Sequence, residues 1–295
     1  MINNVLITGF AGFIGSSFVE FLNNKGIIPY VYDPDFAVQY KNLIGLKYHQ
    51  LNNNVNYQSL YDRFHNFSHI IHLGAHSQTN LEPNNENYNN NVSFTQRLVK
   101  CSPGSKHIFA SSASIYGNLA KFTEDLAAPE SFYAFTKRCC ELENSLNFCS
   151  LRFFNVFGHR EFYKGDMASP VDKWLTTKEK QIKIYQQSNM ARDFIHVDDI
   201  CEIIWFFMKG HSVSIPNGIY NAGTGVASKW TDIANIITSY IGYKFEECHV
   251  LPESLKNNYQ YYTCADLTKL RSVGFDHKFL TLEEGIKRTY EKLKV

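Results

Sequence analysis

Tyr133 and Lys137 are the two residues of this sequence whose spacing is best suited to proton transfer. A separation of four residues places both side chains on one face of a helix. A neighbouring ammonium favours the charged phenolate, and it thereby lowers a phenol pKa that starts near ~10. We therefore interpret the pair as a tyrosine base that deprotonates an alcohol at neutral pH.

A serine is predicted to share the site with this pair. Ser112 follows a predicted strand, Lys106 to Ala110, and lies twenty-one residues before Tyr133. Ligands of doubly wound parallel sheets bind beyond the carboxyl ends of the strands, so a serine here lies where chemistry is expected. A Tyr-x-x-x-Lys pair alone is most often a solvated helix face, and the catalytic interpretation depends on this wider setting.

Three glycines near the amino terminus indicate a dinucleotide-binding loop. They lie between the predicted strand Val5 to Ile7 and an amphipathic helix that includes Val19 and Leu22. Such glycines let the backbone turn tightly and approach a pyrophosphate at the helix N-terminus. The residues of this loop predicted to contact a cofactor are Gly9, Phe10, Gly12, Phe13, Ile14 and Gly15.

Asp33 ends the second predicted strand, twenty-four residues after Gly9. A dinucleotide-binding fold needs a carboxylate there for the adenosine ribose hydroxyls. Between Asp33 and Gln39 the sequence has no cation to bind a 2′-phosphate, which favours NAD and leaves NADP as the alternative. The remaining predicted cofactor contacts are Gln50, Leu51, Leu73, Gly74, Ala75 and Asn91.

Composition excludes several classes of protein. The chain has 295 residues, 44% of them hydrophobic, and a formal net charge of +1, so no overall field attracts nucleic acid. The sequence has no apolar run of about 18 residues, the length that would predict a membrane span. Seven scattered cysteines with no C-x-x-C pair argue against disulfides and a metal site, and they suit the reducing cytoplasm.

The motifs resemble the extended short-chain dehydrogenase/reductase family, whose members act on nucleotide sugars. The resemblance rests on the glycine loop, Ser112, Tyr133-x-x-x-Lys137 and Arg192-Asp193-Phe194, and it extends over the whole chain. Within the family, the ADP-L-glycero-D-manno-heptose 6-epimerases are the most similar. That closer resemblance rests on the blocks Arg152 to Gly158, Lys164 to Ser169, Leu255 to Gln260 and Ala265 to Arg271.

The resemblance implies an α/β fold with a Rossmann-type doubly wound parallel sheet and a smaller, mixed α/β C-terminal substrate lobe. Residues 1–155 and about 193–238 would form the NAD(P)-binding domain. Residues from about 156 to 192 and from 239 to 295 would form the nucleotide-sugar-binding lobe. The resemblance also implies that the protein is a homo-oligomer.

The implied activity is epimerisation by oxidation and re-reduction at one carbon, C6 of the sugar. Tyr133 would deprotonate the C6 hydroxyl, Ser112 would hydrogen-bond the reacting oxygen, and Lys137 would also hold the nicotinamide ribose. Lys164 matches the lysine that serves as the second acid/base, and Asp166 beside it could alter its charge or reach. The residues implied in substrate binding are Ser77, Ser112, Asn155, Lys164, Ser169, Arg192 and Tyr259.

The sequence also leaves other activities as alternatives. A nucleotide-hexose 4-epimerase has the same triad and is the main rival. A 4,6-dehydratase needs acidic residues after the strand-end serine, where this chain has Ala113 and Ser114, and a reductase of the GDP-fucose synthase type would have a cysteine at Ser114. A non-catalytic NAD(P)-sensing module would typically have lost Tyr133 or Lys137.

Overall fold

The structure is a computed structural model, which describes residues 4–51, 64, 66–78, 81–143, 147–179, 181–185, 190–210, 217–242, 244–248 and 260–294. Across these residues, every helix is too short or too polar to cross a membrane.

Twelve strands in the described part of the chain form three sheets. They are β1 (Val5–Thr8), β2 (Tyr30–Tyr32), β3 (His49–Gln50), β4 (His69–His72), β5 (Lys106–Ser112), β6 (Phe148–Phe153), β7 (Asn155–Phe157), β8 (Gln181–Tyr185), β9 (Arg192–His196), β10 (Gly218–Ala222), β11 (Ala227–Ser228) and β12 (Lys244–Cys248). The central sheet has the order β10-β6-β5-β4-β1-β2-β3, with every neighbouring pair parallel. The predicted doubly wound parallel sheet is confirmed, and the strand order reverses between β1 and β4.

Helices connect and cover these strands. They are α1 (Phe13–Asn24), α2 (Asn85–Tyr88), α3 (Phe94–Cys101), α4 (Phe132–Glu141), α5 (Pro170–Thr176), α6 (Val197–Lys209), α7 (Trp230–Ile241), α8 (Thr268–Ser272) and α9 (Leu282–Leu293). A π-helix, Asn89–Ser93, joins α2 to α3, and a 3-10 helix, Ala113–Tyr116, follows β5 directly.

The main core lies between the central sheet and the helices α1 and α6. Buried side chains of β1, such as Val5 and Ile7, pack in one cluster with Phe18 of α1 and with Ile203 and Phe207 of α6. The apolar run in α6 is therefore core, as the sequence indicated. Because α1 is held against the sheet along its length, its N-terminus is fixed at the carboxyl edge of β1.

The block Arg192 to His196 directly precedes helix α6. It is strand β9, which pairs in parallel with β7 and antiparallel with β11. Only its last residue caps α6, because Nδ1 of His196 accepts a hydrogen bond from the Asp198 amide at 3.2 Å. Pairing with a strand distant in sequence decides this conformation, and local patterning does not reveal it.

The second half of the chain contributes to two cores. Phe157, Phe194 and Ile286 form a cluster under the three-stranded sheet. Leu270 and Phe275 instead pack in the main core with the Rossmann strands, although both fall in the range predicted for the substrate lobe. The division into two lobes stays a prediction.

Asp193 joins three segments of the chain. Its carboxylate is fully buried and accepts from the amide and hydroxyl of Thr224 at 2.8 and 2.7 Å. It also accepts from the amides of Gly225 at 2.9 Å and Ala265 at 3.0 Å. A carboxylate has only acceptor oxygens, so it suits this ring of donors. Asp193 therefore holds β9 to the loop after β10 and to the C-terminal segment.

We expect Asp193→Asn to lower the free energy of unfolding by about 3 kcal/mol, because the new amide group would face backbone N–H donors. Urea unfolding followed by circular dichroism measures this change. Asp198→Asn is the matched control, since its exposed ion pair with Arg288 at 2.7 Å should be worth about 1 kcal/mol or less. Equal losses in the two variants would contradict the structural role of Asp193.

Candidate active site

The loop after β1 and the loop after β4 touch at the point where the strand order reverses. Gly9 has a φ of +68°, and a Cβ atom there would overlap the backbone of Gly74. A Cβ atom on Gly15 would overlap the carbonyl oxygen of Gly9. Glycine is therefore required at both positions for β1, β4 and α1 to pack this closely.

Gly12 is different, because the protein itself does not require a glycine there. A Cβ atom would lie 3.4 Å from the Gly9 oxygen and 3.8 Å from Oε1 of Gln39, which are ordinary contacts. Gly12 is the N-cap of α1, the cap makes no side-chain hydrogen bond, and the first turn holds no acidic residue. A helix N-terminus with no capping side chain and no acidic residue fits the pyrophosphate of a dinucleotide.

The side chains within the loop have separate surroundings. Phe10 is fully buried with its ring 5.0 Å from that of Tyr48, and Ile14 packs against the main core. Cofactor contacts from these two residues would therefore come from the backbone. Phe13 is buried as well, and Nζ of Lys164 lies 5.1 Å from the centroid of its ring.

Asp33 follows β2 at the same edge of the sheet. Its carboxylate accepts from the amides of Ala11 at 3.2 Å and Asp35 at 3.0 Å, and burial raises its pKa. The bond to Ala11 ties this carboxylate to the glycine loop, where it could hold the ribose of a dinucleotide. Gln50 is exposed at the end of β3, and Leu51 beside it is half-buried.

The loop after β4 lies against the glycine loop, with the Leu73 amide donating to the Thr8 oxygen at 3.1 Å. Gly74 lies beside Gly9, and Ala75 is half-buried next to it. These residues, predicted to contact a cofactor, therefore line the point where the strand order reverses. Ser77, two residues further on, is exposed.

Asn91 braces this loop from the π-helix. Its side chain accepts from the His76 amide at 2.8 Å and donates to the His76 oxygen at 3.1 Å. It also donates to the Thr136 hydroxyl at 3.1 Å, and it is 2% exposed. The side chain thus holds the loop to the helix that carries Tyr133, and its predicted cofactor contact remains a prediction.

Ser112, Tyr133 and Lys137 come together as the sequence predicts. Ser112 ends β5 and caps the 3-10 helix by accepting from the Ser114 amide at 3.1 Å, and it interacts with the side chain of Tyr133. Tyr133 and Lys137 lie on the inner face of α4, 9% and 3% exposed. Ser131 starts that helix by accepting from the Ala134 amide at 3.2 Å.

The electrostatics of the pair differ from the sequence interpretation. Burial raises the pKa of Tyr133 to about 12, and the hydrogen bond with Ser112 opposes it. Burial also lowers the pKa of Lys137 to about 8. The Lys137 ammonium donates to the Ala110 oxygen at 2.7 Å and lies 5.8 Å from the Tyr133 ring centroid. Desolvation of both groups therefore outweighs the attraction that we expected to lower the pKa of Tyr133.

Glu141 continues the stripe formed by Tyr133 and Lys137 on α4. Both its oxygens accept from Arg152 of β6 at 2.8 Å, and Oε1 also accepts from the Ser111 hydroxyl at 2.6 Å. Arg152 is fully buried and donates its third bond to the Leu126 oxygen at 2.8 Å. The pair fixes the helix carrying the tyrosine to β6, and the Ser111 bond fixes the same helix to β5, the strand that ends at Ser112.

Lys164 lies in the segment between β7 and α5, close to the N-terminus of α1. Its ammonium donates to Oε2 of Glu161 at 2.9 Å, and its side chain is 32% exposed. Asp166, the residue that was expected to alter the charge of Lys164, is exposed. Its backbone oxygen accepts a hydrogen bond from the Lys173 ammonium at 2.6 Å. The charged partner of Lys164 in the structure is therefore Glu161.

Ser169 closes the same segment. Its hydroxyl donates to Oε1 of Glu161 at 2.7 Å and accepts from the Asp172 amide at 3.1 Å, which caps α5. Burial raises the pKa of Asp172 to about 6; the Glu161 charge adds to this effect, and the Lys164 charge opposes it. The hydroxyl of Ser169 is engaged within the loop, and its substrate contact remains a prediction.

Two other predicted substrate residues lie near the serine turn. The amide of Asn155 donates to the Asp193 oxygen at 3.2 Å. Arg192 donates to Oε1 of Gln260 at 3.2 Å, and Gln260 donates to the Gly117 oxygen at 2.7 Å. Gln260 thus connects Arg192 to the turn that Ser112 caps. Tyr259 lies outside the described residues.

Three residues at the site were not predicted from the sequence, namely Glu141, Glu161 and Gln260. Glu141 stands four residues after Lys137 and Glu161 three before Lys164, spacings that place each on the same face of a helical turn. These spacings could have identified both. Gln260 has no such signal, because its partners are distant in sequence.

We expect Gly12→Ala to fold normally but to bind NADH at least about 10-fold more weakly, because its methyl group would occupy the space beside the α1 N-terminus. Fluorescence titration with NADH and thermal unfolding measure the two properties. Gly15→Ala should instead lose about 3 kcal/mol of stability through backbone overlap. Gly104→Ala, with open space around its Cβ position, is the control expected to change neither property.

We expect Lys137→Met to abolish activity without loss of stability at pH 7, because the wild type buries an ammonium there. The Lys137 pKa is lowered from an ordinary 10.5 to about 8, so the unfolded chain binds more protons between these values. Wild-type stability should therefore rise relative to the variant as the pH increases from 8 to 10.5. Urea unfolding across this range tests the sign, and a variant less stable at pH 7 would contradict it.

The chain matches a known protein family over most of its length. The sequence pattern of the NAD dependent epimerase/dehydratase family matches residues 5–223. The ADP-L-glycero-D-manno-heptose-6-epimerase of Brachyspira hyodysenteriae is 34% identical over an alignment that covers 98% of each chain.

Solved structures show the same similarity. The ADP-L-glycero-D-manno-heptose-6-epimerase of Helicobacter pylori matches with a TM-score of 0.84 at 27% identity, over 100% of this chain and 97% of that one. The UDP-glucose 4-epimerase of Thermotoga maritima matches with a TM-score of 0.83 at 25% identity, over 99% of both chains. With its glycine loop, strand-end serine and Tyr-Lys helix, the chain belongs to the NAD dependent epimerase/dehydratase family.

Proposed function

We propose that this protein is an NAD-dependent nucleotide-sugar epimerase that interconverts ADP-D-glycero-D-manno-heptose and ADP-L-glycero-D-manno-heptose. The observation that carries the proposal is the place of Lys164. It lies against Phe13 at the start of α1, whereas Tyr133 lies on α4 beside Ser112. Two proton-transfer groups on separate elements suit a reaction in which one group removes a proton from the substrate and the other returns a proton from a different direction.

The chemistry begins at Tyr133, which takes the proton from the C6 hydroxyl while Ser112 donates a hydrogen bond to the same oxygen. When bound, NAD supplies a hydride acceptor that returns the hydride, so the cofactor is unchanged over a full cycle. Burial of Tyr133 and Lys137 excludes water from this step. Rotation about the C5–C6 bond then turns the oxygen away from Tyr133, and Lys164 donates the proton that completes the opposite epimer.

Substrate binding would use residues that surround these groups. Arg192 would hold the diphosphate as a charge-assisted donor. Ser77, Asn155, Ser169 and Tyr259 would contact the sugar and phosphates. Gly12 and Asp33 would hold the dinucleotide at its pyrophosphate and ribose, with NAD favoured over NADP by the carboxylate at Asp33.

The rival proposal is a nucleotide-hexose 4-epimerase, which uses the same serine, tyrosine and lysine. The similarity to the Thermotoga maritima UDP-glucose 4-epimerase favours this alternative. Lys164 discriminates between the two, because reaction at C4 of a ring has no side-chain rotation that would present the oxygen to a second group.

We expect the protein to interconvert the two ADP-heptose epimers, with C6 configuration followed by NMR, and to leave UDP-glucose unchanged. Lys164→Met should lower the rate of epimerisation by about 10²-fold or more, as loss of a general acid does. Lys173→Met, an exposed lysine nearby, is the matched control expected to retain full activity. Turnover of a UDP-hexose without turnover of ADP-heptose would establish the rival proposal.

We also propose a homo-oligomer in the cytoplasm. Phe135 and Leu142 are 46% and 58% exposed on and just after α4, and this apolar surface supports self-association. The seven cysteines are all free thiols, which supports a reducing compartment.

A further inference from the structure

The segment 158–169, which carries Lys164, is anchored to the dinucleotide-binding half of the protein. The guanidinium of Arg160 donates to the backbone oxygen of Asn42 and pairs with Glu20 at 3.1 Å. The hydroxyl of Tyr163 accepts from the Lys41 amide at 3.2 Å. These contacts hold the segment against α1 and against the stretch after β2, so Lys164 is presented from a fixed backbone.

Inside this segment, one carboxylate connects both ends to the lysine. Glu161 accepts from the Gly158 amide at 3.3 Å and from the Ser169 hydroxyl at 2.7 Å through Oε1. Through Oε2 it accepts from the Ser169 amide at 2.8 Å and from the Lys164 ammonium at 2.9 Å. Its side chain is 0% exposed, whereas that of Lys164 is 32% exposed. Glu161 is thus a buried partner of Lys164, and the lysine side chain keeps part of its surface exposed.

The charges around Lys164 act on one another. Asp172 on α5 has a pKa of about 6, raised by burial and by Glu161 and lowered by Lys164. The other charged side chains on the segment and on α5 are those of Arg160, which pairs with Glu20, and of Asp166 and Lys173. The Lys173 ammonium donates to the backbone oxygen of Asp166.

We propose that Glu161 is the positioning residue of Lys164, holding its ammonium in place for proton transfer. The proposal rests on the function proposed above for Lys164. An ammonium has three donors, and the bond to Glu161 directs one of them inward. The other donors can then point to the substrate oxygen, and the side chain loses little freedom when the substrate binds.

The test compares Glu161→Gln with Asp166→Asn, which removes a formal charge from the same segment. We expect Glu161→Gln to lower kcat for ADP-heptose epimerisation on the order of 10–100-fold, the cost of a small misplacement, with little change in KM. Glu161→Asp should recover part of kcat, because the negative charge is kept. Asp166→Asn should match the wild type, and thermal unfolding shows which variants remain folded.

A double-mutant cycle separates positioning from general loss of structure. If Glu161 acts through Lys164, then Glu161→Gln combined with Lys164→Met should be no slower than Lys164→Met alone. Losses that multiply in the double variant would overturn the proposal. Equal loss in Asp166→Asn and Glu161→Gln would also overturn it.

A second measurement needs no substrate. The rate of acetylation of Lys164 by acetic anhydride, relative to Lys173 and read by mass spectrometry, should rise in Glu161→Gln and stay unchanged in Asp166→Asn. An unchanged rate in Glu161→Gln would refute the contact. A raised rate in a protein that does not epimerise ADP-heptose would support the contact while refuting the assigned reaction, so the two failures are distinguishable.

Discussion

The buried ion pair between Glu141 and Arg152 is the interaction on which the active site depends. Removing two charges from water is costly, and the cost is offset only when their remaining hydrogen-bonding groups are satisfied. Here Ser111 and the Leu126 oxygen complete the set. Because Glu141 lies on α4, Arg152 on β6 and Ser111 on β5, the pair sets the position of the catalytic helix relative to two strands. Tyr133 and Lys137 lie on the preceding turns of the same face of α4, so the same contacts set their positions.

Close backbone approach plays the matching part on the cofactor side. Gly9, Gly15 and Gly74 are packed so tightly that a methyl group on Gly9 or Gly15 would overlap a neighbouring backbone, and this contact sets α1 against β1 and β4. Gly12 belongs to the same motif, but a Cβ atom there would make only ordinary contacts, so the fold itself does not require a glycine at this position. Gly9 and Gly15 are thus packing constraints, and only the three-dimensional packing separates them from Gly12.

Burial gives the site its electrostatic character. In the free protein, desolvation raises the pKa of Tyr133 to about 12 and lowers that of Lys137 to about 8. Neither group therefore shifts the pKa of the other enough to offset the effect of burial. In the segment between β7 and α5, Glu161 provides Lys164 with a buried partner that itself accepts four hydrogen bonds. The two candidate proton-transfer residues therefore have unlike surroundings, one apolar and one ionic.

The sequence by itself determined the parallel sheet, the glycine loop, the carboxylate at Asp33 and the grouping of Ser112 with Tyr133 and Lys137. The loop, the carboxylate and the strand-end serine follow from local patterns, because the position of a residue after a strand or on a helix face is written in neighbouring residues, whereas the parallel sheet follows from the resemblance of these motifs to a known family. Only the tertiary structure decided that Arg192 to His196 is a strand, that Glu161 and not Asp166 pairs with Lys164, and that burial controls the pKa of Tyr133. Strand pairing and desolvation depend on residues far apart in the chain, and the three-residue spacing of Glu161 and Lys164 allows their contact without determining it.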